Sequence, residues 1–124
     1  MGIIKLNKIP IWKRSFRKDI ENKVILMNKE YAFFQETNNV GYLQQAGNKL
    51  FSIVENYLQL KYSHRINSYN ELKILVKNNK NDRLLLIMAV QLHYFFYNGE
   101  VQMPRDEAEL IFKEVNKRMM ARLK

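Results

Sequence analysis

The sequence has no cysteine, only two prolines and only four glycines among its 124 residues. The absence of cysteine excludes disulfides, thiolate metal sites and a cysteine nucleophile. The glycines, at positions 2, 41, 47 and 99, stand apart from one another, so no glycine-rich phosphate loop is present. No strand-turn-strand pattern appears, and long segments without Gly or Pro are typical of helices.

Long apolar runs are also missing. The longest strongly apolar stretch, Leu84–Val90, is too short to cross a bilayer, and no signal-peptide core follows the basic N-terminus. We therefore expect a cytoplasmic protein that does not contact membranes. With 47% hydrophobic residues, the chain can bury the core of one domain.

Groups that could support catalysis or bind a metal are few. The two histidines, His64 and His93, lie 29 positions apart without acidic ligands at suitable spacing, so we predict no metal site and no cofactor. No nucleophile-elbow motif is present. We predict that the protein is not an enzyme and has no catalytic residues.

Apolar residues recur at helical spacing in two long segments, and each series forms one stripe on a helix face. The first stripe is Ile20, Val24, Met27, Tyr31 and Phe34, and the second is Leu43, Ala46, Leu50, Ile53, Tyr57 and Leu60. The segment 36–40 between them contains Asn38 and Asn39 and predicts a turn. A connection this short predicts two antiparallel neighbours.

Three further helices are predicted downstream. Ser68 and Glu71 fit a capping box for a short helix that ends near residues 78–81. A fourth helix runs from an Asp82 N-cap to residue 98; it is apolar on nearly every face, so we place it in the middle of the bundle. A fifth begins at Pro104 and presents the apolar face Ala108, Ile111, Val115 and Met119. The expected fold is all-α, a four- to five-helix up-and-down bundle with a basic N-terminal arm.

The net charge of +9 lies at the two ends of the sequence. Residues 1–18 carry six basic and no acidic side chains, residues 19–112 sum to −1, and residues 113–124 add +4. Such positive segments bind phosphates or acidic partners more readily than small neutral substrates. We therefore divide the chain into a basic N-terminal arm, residues 1–18, and a helical bundle domain, residues 19–124.

The candidate nucleic-acid-binding residues are cations of these two segments. They are Lys5, Lys8, Lys13, Arg14, Arg17, Lys18, Lys117, Arg118 and Arg122. Cations at the end of the last helix are equally explained by the helix dipole, and those of the arm by a solvated tail. The single Trp12 either docks on the bundle, which we favour, or anchors a protein partner, so it is the candidate partner-binding residue.

The run Leu92–Gly99, Leu-His-Tyr-Phe-Phe-Tyr-Asn-Gly, precedes a helix that ends in basic residues. It resembles the Leu-His-x-Asn-Phe-Tyr-Glu-Gly stretch of small archaeal proteins of the PaREP type, which belong to or lie near the HEPN-like helical bundles. Residues 46–55 are similar to the second helix of that family. The resemblance covers roughly residues 40–121 and departs from the family pattern at Phe95 and Asn98. It implies a four- to five-helix bundle, often dimeric, with a role linked to nucleic acids or nucleotides.

Many HEPN proteins are metal-independent ribonucleases with an Arg-x(4–6)-His motif, in which Arg stabilises phosphate charge and His moves a proton. In this chain nine residues separate Arg83 from His93, and His64 has no arginine at the right distance upstream. The motif is therefore absent, and the resemblance implies a non-catalytic member.

Three hypotheses follow. The first is a small basic accessory protein that binds a protein partner and the phosphates of DNA or RNA; in archaea such a partner would be a replicative DNA polymerase. The second is a HEPN-type ribonuclease or toxin component. The third is a structural bundle that forms a homodimer or larger homo-oligomer.

Overall fold

The computed structural model describes residues 9–94 and 103–124, so the predictions for Lys5, Lys8, Gly99 and the end of the fourth helix lie outside the described residues. The described residues form five helices and no strand, which confirms the all-α class. The helices are α1 (Ile11–Thr37), α2 (Val40–Lys61), α3 (Tyr69–Leu75), α4 (Lys80–Tyr94) and α5 (Arg105–Leu123). None of them is long and apolar enough to cross a membrane.

The turn between α1 and α2 is confirmed at Asn38 and Asn39. Asn38 adopts the left-handed conformation (φ 58°), and its backbone N–H donates to the carbonyl of Phe34 at 2.7 Å. Asn39 is the N-cap of α2, where its Oδ1 accepts from the backbone N–H of Gly41 at 2.9 Å. Each asparagine thus satisfies a backbone group that the neighbouring helix end leaves open.

Helices α1 and α2 are antiparallel along their whole length. Their contacts pair Phe33 with Tyr42, Lys23 with Ser52, and Asp19 with Asn56, so one position falls as the other rises. Asn56, near the end of α2, thus contacts Asp19, near the start of α1. The prediction of antiparallel neighbours is therefore confirmed.

Helix α1 begins earlier than its apolar stripe indicates. The backbone N–H groups of Lys13 and Arg14 donate to the carbonyl of Pro10, which precedes the first turn. Residues 11–18 contain no helix breaker, and the rings of Trp12 and Phe16 meet one turn apart at 5.3 Å. The predicted boundary between arm and bundle, at residues 18 and 19, falls inside this continuous helix.

The central helix of the bundle is α2, and the central place predicted for the fourth helix is wrong. Helix α2 packs against α1, α3, α4 and α5. Helix α4 buries one face, formed by Leu85, Leu86, Ala89 and Leu92. Its opposite face leaves Leu84 and Ile87 41% and 50% exposed, because no described helix covers it.

The starts of the last three helices differ in detail from their predictions. Ser68 caps α3 as expected, but α3 ends at Leu75, before the predicted residues 78–81. Asp82 is not the N-cap of α4: its own N–H donates to the side chain of Asn79 at 3.0 Å, so Asn79 caps this helix. Pro104 lies one residue before α5 rather than in its first turn, and Phe112 is buried where the pattern favoured Ile111.

The order of the helices is up, down, up, down, with α3 inside the connection from α2 to α4. Asp82, at the start of α4, contacts Lys61 at the end of α2 and Arg122 at the end of α5. One end of the bundle therefore holds the start of α1, the end of α2, the start of α4 and the end of α5. This arrangement confirms the up-and-down topology.

Candidate nucleic-acid interface

Positive charge is concentrated at the end of the bundle that holds the start of α1, the end of α2, the start of α4 and the end of α5. We define the basic end as residues 9–24, 55–83 and 114–124, and the opposite half as residues 25–54, 84–94 and 103–113. The basic end has fifteen basic and six acidic side chains, a net charge of +9. The opposite half has four basic and five acidic side chains, a net charge of −1. Basic residues from the start, the middle and the end of the sequence therefore lie at one end of the folded molecule.

Most cations of the basic end have no acidic partner among the described residues. Only Lys23, Lys61, Arg118 and Arg122 form ion pairs there. The eleven cations without a pair are Lys13, Arg14, Arg17, Lys18, Arg65, Lys73, Lys77, Lys80, Arg83, Lys117 and Lys124. In the opposite half the proportion is reversed, since Lys49, Arg105 and Lys113 are paired and only Lys29 is not.

The four predicted cations of α1 lie in its first two turns. Lys13 donates to the hydroxyl of Ser63 at 2.7 Å, and the guanidinium of Arg14 donates to the carbonyl of Ile9 at 3.1 Å. Arg17 and Lys18 are exposed and have no hydrogen bond or ion pair with any described residue. These four side chains are held on one rigid helix, although their role was predicted for an arm outside the bundle.

The three predicted cations of α5 differ in their surroundings. Lys117 is exposed and unpaired within the described residues. Arg118 forms an ion pair with Glu114 at 2.9 Å, one turn earlier on the same helix. Arg122 donates to the carbonyl of Arg118 at 3.2 Å and approaches Asp82 at 3.7 Å, so it stabilises the fold as well as contributing charge.

Asp82 is a buried anion, only 1% exposed, that contacts the ends of two other helices at the basic end. Its Oδ2 accepts from Lys61 Nζ at 2.6 Å and from the Tyr62 hydroxyl at 2.7 Å. Burial, together with the hydrogen bond to this carboxylate, raises the pKa of Tyr62 to about 12. A carboxylate bound in this way joins the ends of α2, α4 and α5, and it is the acidic partner of two of the fifteen cations of the basic end.

Two of the predicted cations meet at an open cleft of about 560 Å³ between α1, α2 and α5. Arg17 of α1 and Arg122 of α5 line it, together with the acidic Glu21. Its remaining lining is apolar and consists of Ile20, Val24, Tyr57, Leu60, Met120 and Leu123. The structure thus brings together residues that lie 105 positions apart in the sequence.

The basic residues of the middle segment were not among the predicted site residues. Arg65, Lys73, Lys77, Lys80 and Arg83 lie between the end of α2 and the first turn of α4, within residues 19–112, whose charges sum to −1. The signal that could have found them was the alternating direction of the helices, which returns residues 61–83 to the start of α1. A local sum of charge was a second signal, because residues 61–83 alone carry six basic and two acidic side chains, a net charge of +4.

Trp12 is half-buried and lies edge-on to Phe16 of its own helix, with the ammonium of Lys13 5.8 Å from the centre of its ring. Phe16 in turn lines a second cleft with residues of α2 and the start of α3. Trp12 is thus placed at the basic end. Its predicted role in binding a partner stays a prediction.

The two histidines lie in different parts of the fold, His93 in the last turn of α4 and His64 in the connection that follows α2. His93 stacks on Phe51 with ring centres 4.6 Å apart. Arg83 and His93 lie ten residues apart on α4, which corresponds to about 15 Å along the helix axis. The described residues contain no group of three His, Cys, Asp or Glu side chains that could hold a metal ion.

Comparisons with known protein families, with curated proteins and with solved structures find no match for this chain. The HEPN-like identity therefore stays a prediction that depends on residues 46–55 and on the Leu92–Gly99 run, of which residues 95–99 lie outside the described residues.

Proposed function

We propose that this protein is a non-enzymatic accessory protein whose basic end binds the phosphates of a nucleic acid. The observation that carries the proposal is the separation of charge, +9 at one end of the bundle against −1 in the other half. Eleven of the cations at the basic end lack an acidic partner among the described residues. Such cations attract nucleic acids, and their binding to phosphates is favoured by the release of the counterions condensed on the nucleic acid.

The distribution of these cations favours an extended polyanion over a small anionic ligand. They come from α1, α3, α5, the first turn of α4 and the loops that connect α2, α3 and α4, so they spread over the whole end of the molecule. Most of them are exposed, and bringing a phosphate to an exposed lysine or arginine requires little desolvation. The contacts would be with the backbone of the nucleic acid, which carries no sequence information.

A ribonuclease activity receives less support. The HEPN mechanism needs one arginine and one histidine at the same phosphate, and α4 keeps Arg83 and His93 about 15 Å apart along its axis. Binding without cleavage is therefore the function that we propose.

The test is the salt dependence of binding to fluorescein-labelled DNA and RNA oligonucleotides, measured by anisotropy. The basic-end variant Lys18→Gln/Lys77→Gln/Lys117→Gln removes three exposed, unpaired cations from three segments. The control variant Lys29→Gln/Arg105→Gln/Lys113→Gln removes three cations from the opposite half, so both variants have the same net charge. We expect the slope of log K against log salt to fall by roughly 2 to 3 in the basic-end variant, because each lost phosphate contact contributes about 0.7 to 0.9.

The control variant should keep the slope of the wild type. Equal slopes in both variants would show that net charge alone, rather than its position, causes the binding. Absence of binding to DNA and RNA at low salt would contradict the proposal outright. Substitutions are preferable to removing residues 1–18, because that deletion would also remove the first two turns of α1.

The protein-partner part of the proposal predicts that the tagged protein retains a partner from its native cells after nuclease treatment. If the partner is an archaeal replicative DNA polymerase, the complex should bind primer-template DNA more tightly than the polymerase alone. Loss of every partner on nuclease treatment would leave nucleic acid as the only ligand.

A further inference from the structure

The cleft between α1, α2 and α5 has a different chemistry from the surface around it. Helices α1 and α5 meet near the middle of the bundle, where the rings of Tyr31 and Phe112 lie 4.7 Å apart. Tyr31 also donates to Glu109 at 2.7 Å and joins the same two helices. Towards the basic end the two helices leave a gap, and the cleft lies there.

The floor of the cleft is apolar, and its rim is charged. The six apolar side chains that line it come from three helices, and Leu123 at its edge is 38% exposed. Met120 adds a flexible thioether side chain of the kind that adapts to different apolar partners. Arg17, Arg122 and Glu21 provide the only charged groups of the lining. A cleft of this kind binds apolar side chains and selects them by the charges around them.

We propose that this cleft docks an acidic amphipathic helix of a partner protein. The first and last cleft residues on α1, Arg17 and Val24, are seven positions apart, or about 10 Å along the helix axis. That length accommodates two turns of a docked helix, so two large apolar side chains three or four positions apart would fill the floor. The cleft shares one residue, Arg17, with the unpaired cations of the basic end, and its apolar lining can bind a partner whether or not the basic end binds nucleic acid.

Charge complementarity selects an acidic helix over a basic one. The cleft opens at the end of the molecule that carries a net charge of +9, and Arg17 has no acidic partner among the described residues. Acidic side chains on either side of the apolar pair would meet Arg17 and Arg122. Glu21 favours one basic or hydroxyl side chain of the docked helix and thereby sets its direction.

A nucleic-acid base fits the same cleft less well. The apolar floor residues are aliphatic except for Tyr57, whose hydroxyl is the one hydrogen-bonding side-chain group among them. The edges of a base would therefore lose more hydrogen bonds to water than this single hydroxyl could replace.

The test uses three labelled helical peptides of 18 residues and fluorescence anisotropy. The first has leucines four positions apart on one face and glutamates on the others; the second has lysines in place of the glutamates; the third has alanines in place of the leucines. We expect the first to bind and the other two to bind at least about tenfold more weakly, since both the apolar anchors and the charge contribute.

Matched variants locate the binding. Leu123→Gln changes the edge of the cleft, and Leu110→Gln changes an exposed leucine of α5 that does not line it. Arg17→Gln is matched in the same way by the neighbouring Lys18→Gln. The cleft variants should weaken binding of the first peptide by roughly five- to tenfold, and the controls by less than twofold. Leu123→Gln keeps the net charge, so it should leave the salt dependence of nucleic-acid binding unchanged, and failure of either proposal can be recognised separately.

The methyl resonance of Met120 gives a direct readout of occupancy by NMR, with that of Met88 on α4 as the control. The proposal requires that the first peptide shifts Met120 and leaves Met88 unchanged. It is overturned if no peptide binds, if cleft and control variants lose affinity equally, or if an oligonucleotide shifts Met120 while the first peptide does not.

Discussion

Asp82 is the residue whose surroundings most constrain the basic end. A carboxylate that is only 1% exposed must be compensated by neighbours, and Lys61, Tyr62 and Arg122 supply that compensation from two other parts of the chain. Asp82 stands three residues after Asn79, and its backbone N–H donates to the Asn79 side chain that caps α4. Its carboxylate is bound by Lys61 and Tyr62 from the end of α2, a contact between segments about 20 positions apart that helix-start patterns in the sequence do not contain.

At this scale the structure predicts a pH dependence of stability. The Tyr62 hydroxyl donates to Asp82, and its pKa in the folded protein, about 12, lies above its ordinary value of 10.0. Between pH 10 and pH 12 the unfolded chain therefore binds fewer protons than the folded one, so stability falls as the pH rises. Urea unfolding of the wild type and of Tyr62→Phe should differ in this window, with the variant losing about 1 kcal/mol less between the two pH values after allowance for solvent screening.

The Asp82→Asn variant provides the control for the cause of this effect. It keeps Tyr62 and removes the carboxylate, so tyrosine absorbance at 295 nm should titrate at lower pH than in the wild type. An unchanged titration would show that Asp82 is not responsible for the raised pKa of Tyr62.

At the scale of the helices, the turn between α1 and α2 determines how residues at the start of α1 meet those at the end of α2. The left-handed Asn38 ends one helix, and the side chain of Asn39 begins the next. Both were recognisable from the sequence, because two asparagines between two apolar stripes are typical of a short connection. The start of α1 was not recognisable from its stripe, since Ile11–Lys18 is held by backbone hydrogen bonds and ring contacts rather than by a buried apolar face.

The cap of α2 should contribute measurably to stability. Asn39→Ala removes the acceptor for the backbone N–H of Gly41, and we expect it to lower the free energy of unfolding by about 1 kcal/mol. Asn39→Ser restores an acceptor and should recover most of that loss in thermal or urea unfolding. Equal destabilisation by both variants would show that the hydrogen bond to Gly41 contributes nothing.

The place of each helix in the bundle was harder to predict than its existence. The continuous apolar run Leu84–Val90 predicted a central α4, yet α2 is central. The reason is that α2 combines its apolar stripe with small residues such as Ala46 and Gly47, both buried, which allow other helices to approach closely. Periodicity reports which face of a helix is apolar, whereas the number of neighbours depends on how the other helices pack.

For the whole molecule, the decisive property is the direction of the four long helices. Their alternation returns residues 61–83 and 114–124 to the start of α1, so charges that are far apart in the sequence form one basic end. The cations of the first and last segments were predicted from the sequence, whereas Arg65, Lys73, Lys77, Lys80 and Arg83 were not, because the charges of residues 19–112 sum to −1. The apolar cleft was not predicted from the sequence, because it depends on how far α1 and α5 separate between Tyr31 and the basic end.

The measurement that tests the central claim most directly is an NMR titration of the folded protein with a short oligonucleotide at low salt. If the basic end is the binding surface, backbone amides around residues 13–18, 61–83 and 117–124 will shift, and those around Lys29 and residues 105–113 will not. The shifts should disappear as salt is raised, because the contacts are with phosphates. Shifts centred on the opposite half, or spread evenly over both halves, would contradict the account.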